Sequence, residues 1–256
     1  MLLGAEGMAR LARSRVAVFG LGGVGGYAAE ALARSGVGAL DLVDHDRVSL
    51  SNLNRQILAT HRTLGQFKVD VAAQRIHEIA PDCLVTSRRV FYLPETRDLF
   101  DFSVYDYVVD AIDTVAGKLA LAEQAQAAGT PIISAMGAGN KLDPTAFRVS
   151  DIQETSVCPL ARVMRGECRK RGIRRLKAVW STEVPLRPSE DPALCREENA
   201  GSPETAEGSA RRSIPGSVAF VPSVVGLILA GEVVKDLCGI GAAGNAREYK
   251  PGGGIE

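Results

Sequence analysis

Val16-Ala17-Val18-Phe19-Gly20-Leu21-Gly22-Gly23-Val24-Gly25 decides the fold of this chain. Its first four residues are an apolar run of the kind that forms a parallel strand buried on both faces. Gly20 ends the run, and Val24 to Ser35 carry the apolar spacing and alanine content of a helix. Gly20, Gly22 and Gly25 have GxGxxG spacing. That spacing permits a tight turn, close approach of backbone to a phosphate, and close packing of helix on strand. The helix N-terminus offers free N–H groups and a partial positive charge to an anion. Ala39 to Val43 reads as the next strand, and Asp44 follows at its carboxyl end. A carboxylate there can accept hydrogen bonds from a ribose. Strand, turn, helix, strand and acid together turn a bare glycine motif into a nucleotide site.

The residues after Asp44 point to ATP rather than NAD. A pyridine-nucleotide domain normally moves straight to its next helix. Here a polar loop intervenes, with Asn52, Asn54, Arg55 and Gln56. Thr63 and Gln66 then have capping-box spacing and predict a helix N-terminus at Thr63. Val69, Ala72, Ala73, Ile76 and Ile79 would share one face of that helix. Lys68 sits near its start, where the helix dipole favours anions, so a nearby anion would explain it. A further strand, Tyr107 to Asp113, brings Asp110 and Asp113 to the carboxyl edge of the sheet, where ligands sit in open α/β folds. Carboxylates beside phosphates repel them unless a divalent cation lies between, and Mg²⁺ suits one or two carboxylates plus phosphate oxygens. Asp113 is the first choice of metal ligand. Asp110 has the alternative of capping the helix expected over Thr114 to Ala128. Arg55 and Lys68 suit a triphosphate that is cut. An NAD-dependent oxidoreductase leaves both without a task and lacks an obvious His or Tyr for hydride transfer.

The glycine turn, Asp44, Asn54-Arg55-Gln56, Lys68 and Asp110-Ala111-Ile112-Asp113 resemble the ThiF-like, ubiquitin-activating-type adenylyltransferases. Within that superfamily the chain looks like the branch of tRNA threonylcarbamoyladenosine dehydratases. This closer resemblance rests on Asp110 to Asp113, Gly137-Ala138-Gly139 through Asp143-Pro144-Thr145, Asp151 to Ala161, and Trp180-Ser181-Thr182-Glu183. It covers residues 4–187 and, weakly, the C-terminal helix. The resemblance implies a Rossmann-like α/β fold: a mostly parallel sheet with an antiparallel extension and helices on both faces. It also implies ATP-dependent activation of a carboxylate, that of a threonylcarbamoyl group on an anticodon-loop adenosine of tRNA. Closure to a cyclic form follows, a net dehydration.

Carried over residue by residue, Gly20, Gly22 and Gly25 would cradle the nucleotide and Asp44 would bind the ribose. Asn52, Asn54, Arg55, Gln56 and Lys68 would line the triphosphate, and Asp113 would hold Mg²⁺. Arg55, Lys68 and Asp113 would be catalytic. The implied partners are tRNA, a second copy of the chain, and sulfur-relay proteins of a cysteine desulfurase system. The resemblance breaks at two points. Relatives often carry an N-terminal arginine that reaches the partner subunit's ATP, whereas the first arginines here are Arg10 and Arg13. Sulfur-carrier-activating relatives usually have paired CxxC zinc ligands, and this chain has none. Activation of a ubiquitin-like sulfur carrier is the alternative function, and a nucleotide-sensing module without turnover is a further one.

The 256 residues suffice for one large domain, expected over 1–183 and 217–256, with a mobile loop at 184–216 rich in Pro, Glu, Ser and Gly. Lys+Arg and Asp+Glu are both 30, so net charge gives no pointer to nucleic acid. Local charge does: Arg162, Arg165, Arg169, Lys170, Arg171, Arg174, Arg175 and Lys177 face only Glu167. Such a run is the footprint of a nucleic-acid contact, or else a solvated helix face. Five cysteines at long spacings, with no visible signal peptide, indicate a reducing cytoplasm. Cys195 in the polar stretch reads as a tolerated free thiol.

The remaining elements are a short N-terminal helix with Met8, Leu11 and Ala12 on one side, strands at Leu84 to Val90 and Pro131 to Ser134, and an antiparallel pair within Lys141 to Val149. A helix over Cys158 to Arg171, an extended Leu176 to Ser181, and a last helix, Val218 to Leu237, complete the reading. The last is shorter than the ~20 apolar residues a bilayer requires and reads as a core or dimer helix.

Overall fold

Seven strands form one sheet in the order β3-β2-β1-β4-β5-β7-β6 in the computed structural model, which describes residues 2–187 and 216–240. The strands are β1 (Arg15–Phe19), β2 (Ala39–Val43), β3 (Leu84–Arg88), β4 (Tyr107–Asp110), β5 (Ile132–Ala135), β6 (Phe147–Asp151) and β7 (Lys177–Ser181). All pairings are parallel except β6 on β7, where Phe147 faces Ser181 and Asp151 faces Lys177. Val16, Ala17, Val18 and Phe19 are fully buried, as the central strand of a sheet covered on both faces must be.

The helices are α1 (Gly4–Arg13), α2 (Gly25–Arg34), α3 (Lys68–Ile79), α4 (Val115–Ala128), α5 (Pro159–Lys170) and α6 (Phe220–Cys238). On one face Leu11, Leu32, Val69, Ile76, Val225 and Leu229 bring α1, α2, α3 and α6 into one core. On the other, Leu119 and Ala122 of α4 meet Ala161 and Met164 of α5 and Trp180 of β7. Phe19, Phe100 and Phe102 fill the remainder of that face, with Phe19 and Phe100 ring centroids 5.2 Å apart. The expected architecture holds: a mostly parallel α/β sheet, an antiparallel extension, and helices on both sides. Helix α6 is a core helix, with Val221, Val225, Leu229 and Val233 fully buried.

Three local expectations are corrected. Helix α3 starts at Lys68 with Phe67 at the N-cap position, not at Thr63. The Thr63 hydroxyl accepts from Thr60 N–H and donates to the Leu58 carbonyl, so it closes a separate turn. Residues 141–146 form no strand, and the antiparallel partner of β6 is the distant β7. In α1 the inward stripe is Leu3, Gly7 and Leu11, while Met8 is 43% exposed. Gly7 is what α6 packs against: a Cβ there would lie 3.2 Å from Cys238 Sγ. Most of the expected 184–216 loop, with Cys195, lies outside the described residues.

The strand order reverses between β1 and β4. In open α/β sheets that switch point opens a crevice at the carboxyl ends of the strands. Gly20, Asp44 and the Asp110–Asp113 segment all leave their strands at this edge.

Candidate nucleotide site

Gly20 has φ +87°, a left-handed conformation open to glycine, and a Cβ there would lie 2.7 Å from the Ala111 carbonyl. A Cβ on Gly25 would overlap the Gly20 carbonyl at 1.7 Å. These contacts draw the ends of β1 and β4 and the start of α2 together under the crevice. Asp44 is buried at the rim: Oδ2 accepts from Leu21 N–H at 2.6 Å and Oδ1 from Asp46 N–H at 2.8 Å. Each oxygen keeps a second lone pair for a further donor.

The loop between β2 and α3 supplies the polar wall. Asn52 is buried and accepts from Ser49 N–H at 3.1 Å. Arg55 lies across the glycine turn, its Cγ 3.4 Å from where a Gly23 Cβ would be. Its Nη1 donates to Ser51 O at 3.0 Å and Asn54 Oδ1 at 2.8 Å. Asn54 Nδ2 in turn donates to Ser217 O at 3.1 Å. Gln56 is buried beneath Gly22, and its Oε1 has no partner among the described residues. Lys68 is buried at the first position of α3 and its Nζ stands 2.8 Å from Asp46 Oδ2. The anion expected near Lys68 is therefore present as a side chain, and Asp46 is a site residue the sequence reading missed.

Asp110 and Asp113 separate cleanly. Asp110 is fully buried; Oδ1 accepts from Lys118 Nζ at 3.0 Å, and Oδ2 from the Ser134 hydroxyl. Lys118 also donates to Ala135 O at 2.7 Å. Asp110 thus neither caps α4 nor faces the crevice; it pins the ends of β4 and β5. Lys118 was legible only as a lone charge inside the apolar run of α4. Asp113, three residues on, is exposed and has no hydrogen bond or ion pair among the described residues. Asp44, His45 and Asp46 are the one cluster there with metal-ligand spacing, and Asp46 in it is already paired with Lys68.

The basic run does not form a single patch. Arg165 donates to Thr155, and Arg169 to Gln153. Lys170 pairs with Glu167, Arg171 with Glu123, and Lys177 with Glu232 and Asp236. The side chains of Arg162, Arg174 and Arg175 are exposed and unpaired among the described residues. Gly172 and Arg174 bond to Gln126 near the end of α4, at the sheet edge opposite the crevice.

The family model for ThiF matches residues 1–251. The chain belongs to the ThiF family. A tRNA threonylcarbamoyladenosine dehydratase of Bacillus subtilis is 46% identical to this ThiF-family chain over 239 residues, 93% of the chain and 92% of that protein. The crystal structure of Escherichia coli tRNA N6-threonylcarbamoyladenosine dehydratase, TcdA, in complex with ATP superposes with a TM-score of 0.79 at 31% identity. The match covers 92% of this chain and 90% of that one. An Aspergillus niger adenylyltransferase and sulfurtransferase, uba4, is 38% identical over 133 residues, 52% of this chain but 27% of that protein. In this ThiF-family chain Asp44, Arg55 and Lys68 lie from the end of β2 to the start of α3 and Asp113 follows β4, at the carboxyl edge of the sheet. Among the described residues no helix is long and apolar enough to cross a membrane.

Proposed function

We propose that this protein activates the carboxylate of N6-threonylcarbamoyladenosine in tRNA with ATP and closes it to a cyclic, dehydrated product. The observation that carries this reading is the charge gathered at the carboxyl edge of the sheet: Arg55 and Lys68 in the β2–α3 segment, and after β4 an exposed Asp113 with no ion pair among the described residues. The length-wide similarity to tRNA-modifying relatives supports it over activation of a sulfur carrier.

The chemistry follows from charge. Glycine-turn N–H groups and the start of α2 receive phosphate. Asp44 receives the ribose hydroxyls with the lone pairs left by Leu21 and Asp46. A substrate carboxylate oxygen attacks the α-phosphorus, the α–β anhydride bond breaks, and pyrophosphate leaves with the electron pair. Arg55 and Lys68 stabilise the charge that develops on it. The carbamoyl oxygen then attacks the acyl carbon, the carbamoyl N–H proton passes to solvent, and AMP departs carrying the carboxylate oxygen. That second step needs positioning more than acid–base groups.

Mg²⁺ fits the donor set. Asp113 is untethered and hard, and one carboxylate plus phosphate oxygens is magnesium chemistry. Asp110 is excluded as a ligand because it is fully buried and its charge is already balanced by Lys118 Nζ at 3.0 Å. When bound, the ion would neutralise phosphate charge beside Asp113. The same reading extends to a homodimer, a sulfur-relay partner and a cytoplasmic setting.

The test is direct. The protein is incubated with ATP, Mg²⁺ and tRNA bearing threonylcarbamoyladenosine, and the nucleosides are digested and weighed. Loss of one water from that nucleoside supports the reading. An unchanged mass with protein that adenylates a sulfur carrier overturns it.

A further inference from the structure

Three lysines are buried at or near the crevice edge, and two have a carboxylate partner: Lys68 pairs with Asp46 and Lys118 with Asp110. Lys118 donates to Asp110 Oδ1, Ser134 Oγ and Ala135 O at 3.0, 3.3 and 2.7 Å. Lys141 is 3% exposed, yet its one hydrogen bond among the described residues is a long 3.4 Å contact to Gly139 O. It has no ion pair there. An ammonium carries three donors, and buried cations are normally paired. Glu183, which follows β7, binds the backbone of this turn instead: its two oxygens accept from Leu142 and Asp143 N–H at 2.9 and 3.0 Å.

Position adds to this. The turn carrying Lys141 leaves the carboxyl end of β5, next to the β4 end that presents Asp113. Asn140, at φ +59°, bonds Gly216 through its backbone N–H at 2.8 Å and its Oδ1 at 2.7 Å. The next residue, Ser217, accepts from Asn54 of the phosphate wall at 3.1 Å. The turn is thereby tied to the nucleotide crevice on the side away from Asp44 and Lys68. On the function proposed above, a second reactant entering on that side would meet this turn.

We propose that Lys141 binds the carboxylate that is to be activated, supplying the buried countercharge that lets it approach the α-phosphate. This rests on the function proposed above and adds a substrate-recognition residue to it. The ammonium exchanges one long carbonyl contact for a charge-assisted hydrogen bond.

The test uses the full-length protein and compares two ligands: tRNA bearing threonylcarbamoyladenosine, and the same tRNA with that carboxyl group methyl-esterified. Wild-type protein should prefer the acid by about 10- to 100-fold in affinity, the range of one charge-assisted hydrogen bond. Lys141→Met should lose the preference, and Lys141→Arg should recover part of it. ATP affinity should be unchanged in both. The thermal midpoint of Lys141→Met should not fall, since a poorly partnered buried charge has been removed. A Lys141→Met protein that retains the acid preference overturns the inference, as does one that loses ATP affinity or melts earlier. If wild-type protein removes no water from the modified tRNA, the functional reading itself fails. If it does, and Lys141→Met keeps the preference, only the inference fails.

Discussion

The Lys68 ammonium stands 2.8 Å from the Asp46 carboxylate, and the two residues meet from opposite ends of the loop joining β2 to α3. The pair is asymmetric: the lysine side chain is 6% exposed and the aspartate 49%. Backbone geometry locks them together, because Lys68 N–H also donates to Asp46 O at 3.0 Å. Asp46 holds the ammonium in position at the crevice. On the proposed function, a phosphate would take the lysine from Asp46, which is exposed enough to be solvated in exchange.

Lys68→Ala should therefore abolish detectable AMP formation, a loss of at least about 10²–10³ in rate, as for removal of one preorganised charge donor. Asp46→Asn should act in the opposite sense on binding and lower the apparent KM for ATP, since a competing anion is gone. Pyrophosphate exchange with labelled ATP measures both. Near-normal exchange in Lys68→Ala would remove the lysine from the catalytic set.

Asp113→Ala should separate activity from stability. Its carboxylate makes no contact among the described residues, so the unfolding free energy should stay within about 0.5 kcal/mol of wild type. AMP formation should nevertheless be lost, and higher Mg²⁺ should not restore it. A Mg²⁺ titration of pyrophosphate release, beside a urea melt, reads both. A variant that turns over at ordinary Mg²⁺ would leave the metal without its expected ligand.

The sequence shows β1, β2 and β4 clearly because each is a short, mostly apolar run that ends at a glycine or an acid at the ligand edge. Val16 to Phe19 and Ala39 to Val43 fall where they were expected. Errors arise where tertiary contacts override a local pattern. Thr63 has the chemistry of a cap, but Phe67 takes that position and carries the Arg47 guanidinium 3.7 Å above its ring. The β6 partner lies thirty residues on, past α5, so no local signal announces it. Motif residues of the site are legible, while the residues that hold them are not. Asp46 and Lys118 acquire meaning only through the side chains they meet in the fold, Lys68 and Asp110.

Lys118→Met should be one of the more damaging single changes in the fold. It leaves Asp110 as a buried charge without its cation, which costs about 3–5 kcal/mol in such settings. Adding Asp110→Asn removes that charge and should recover a large part of the loss. Urea unfolding of the two single variants and the double variant gives the coupling directly. Additive losses would show that the pair is not a unit.

Acid should loosen α6 through Glu232. Burial by itself raises the pKa of this carboxyl group, but hydrogen bonds from Lys177 and Lys235 outweigh it and hold the group below its ordinary 4.5. Lys177 Nζ stands 2.8 Å from both Glu232 Oε2 and Asp236 Oδ2, tying β7 to α6. A carboxyl group whose pKa is lower folded than unfolded stabilises the fold fully above its unfolded value. That contribution fades as pH falls through the folded value. The window for Glu232 therefore opens near pH 4.5 and extends downward. Lys177 mirrors it: burial lowers its pKa, the Asp236 and Glu232 hydrogen bonds raise it more, and the net shift is above 10.5. Its contribution is complete below that value and fades as pH rises through the folded one. Glu232→Gln should be less stable than wild type at pH 7 and should lose less stability between pH 7 and the acid transition. Urea midpoints across that range check this, and parallel acid curves for the two proteins would show that the α6 tether does not titrate with folding.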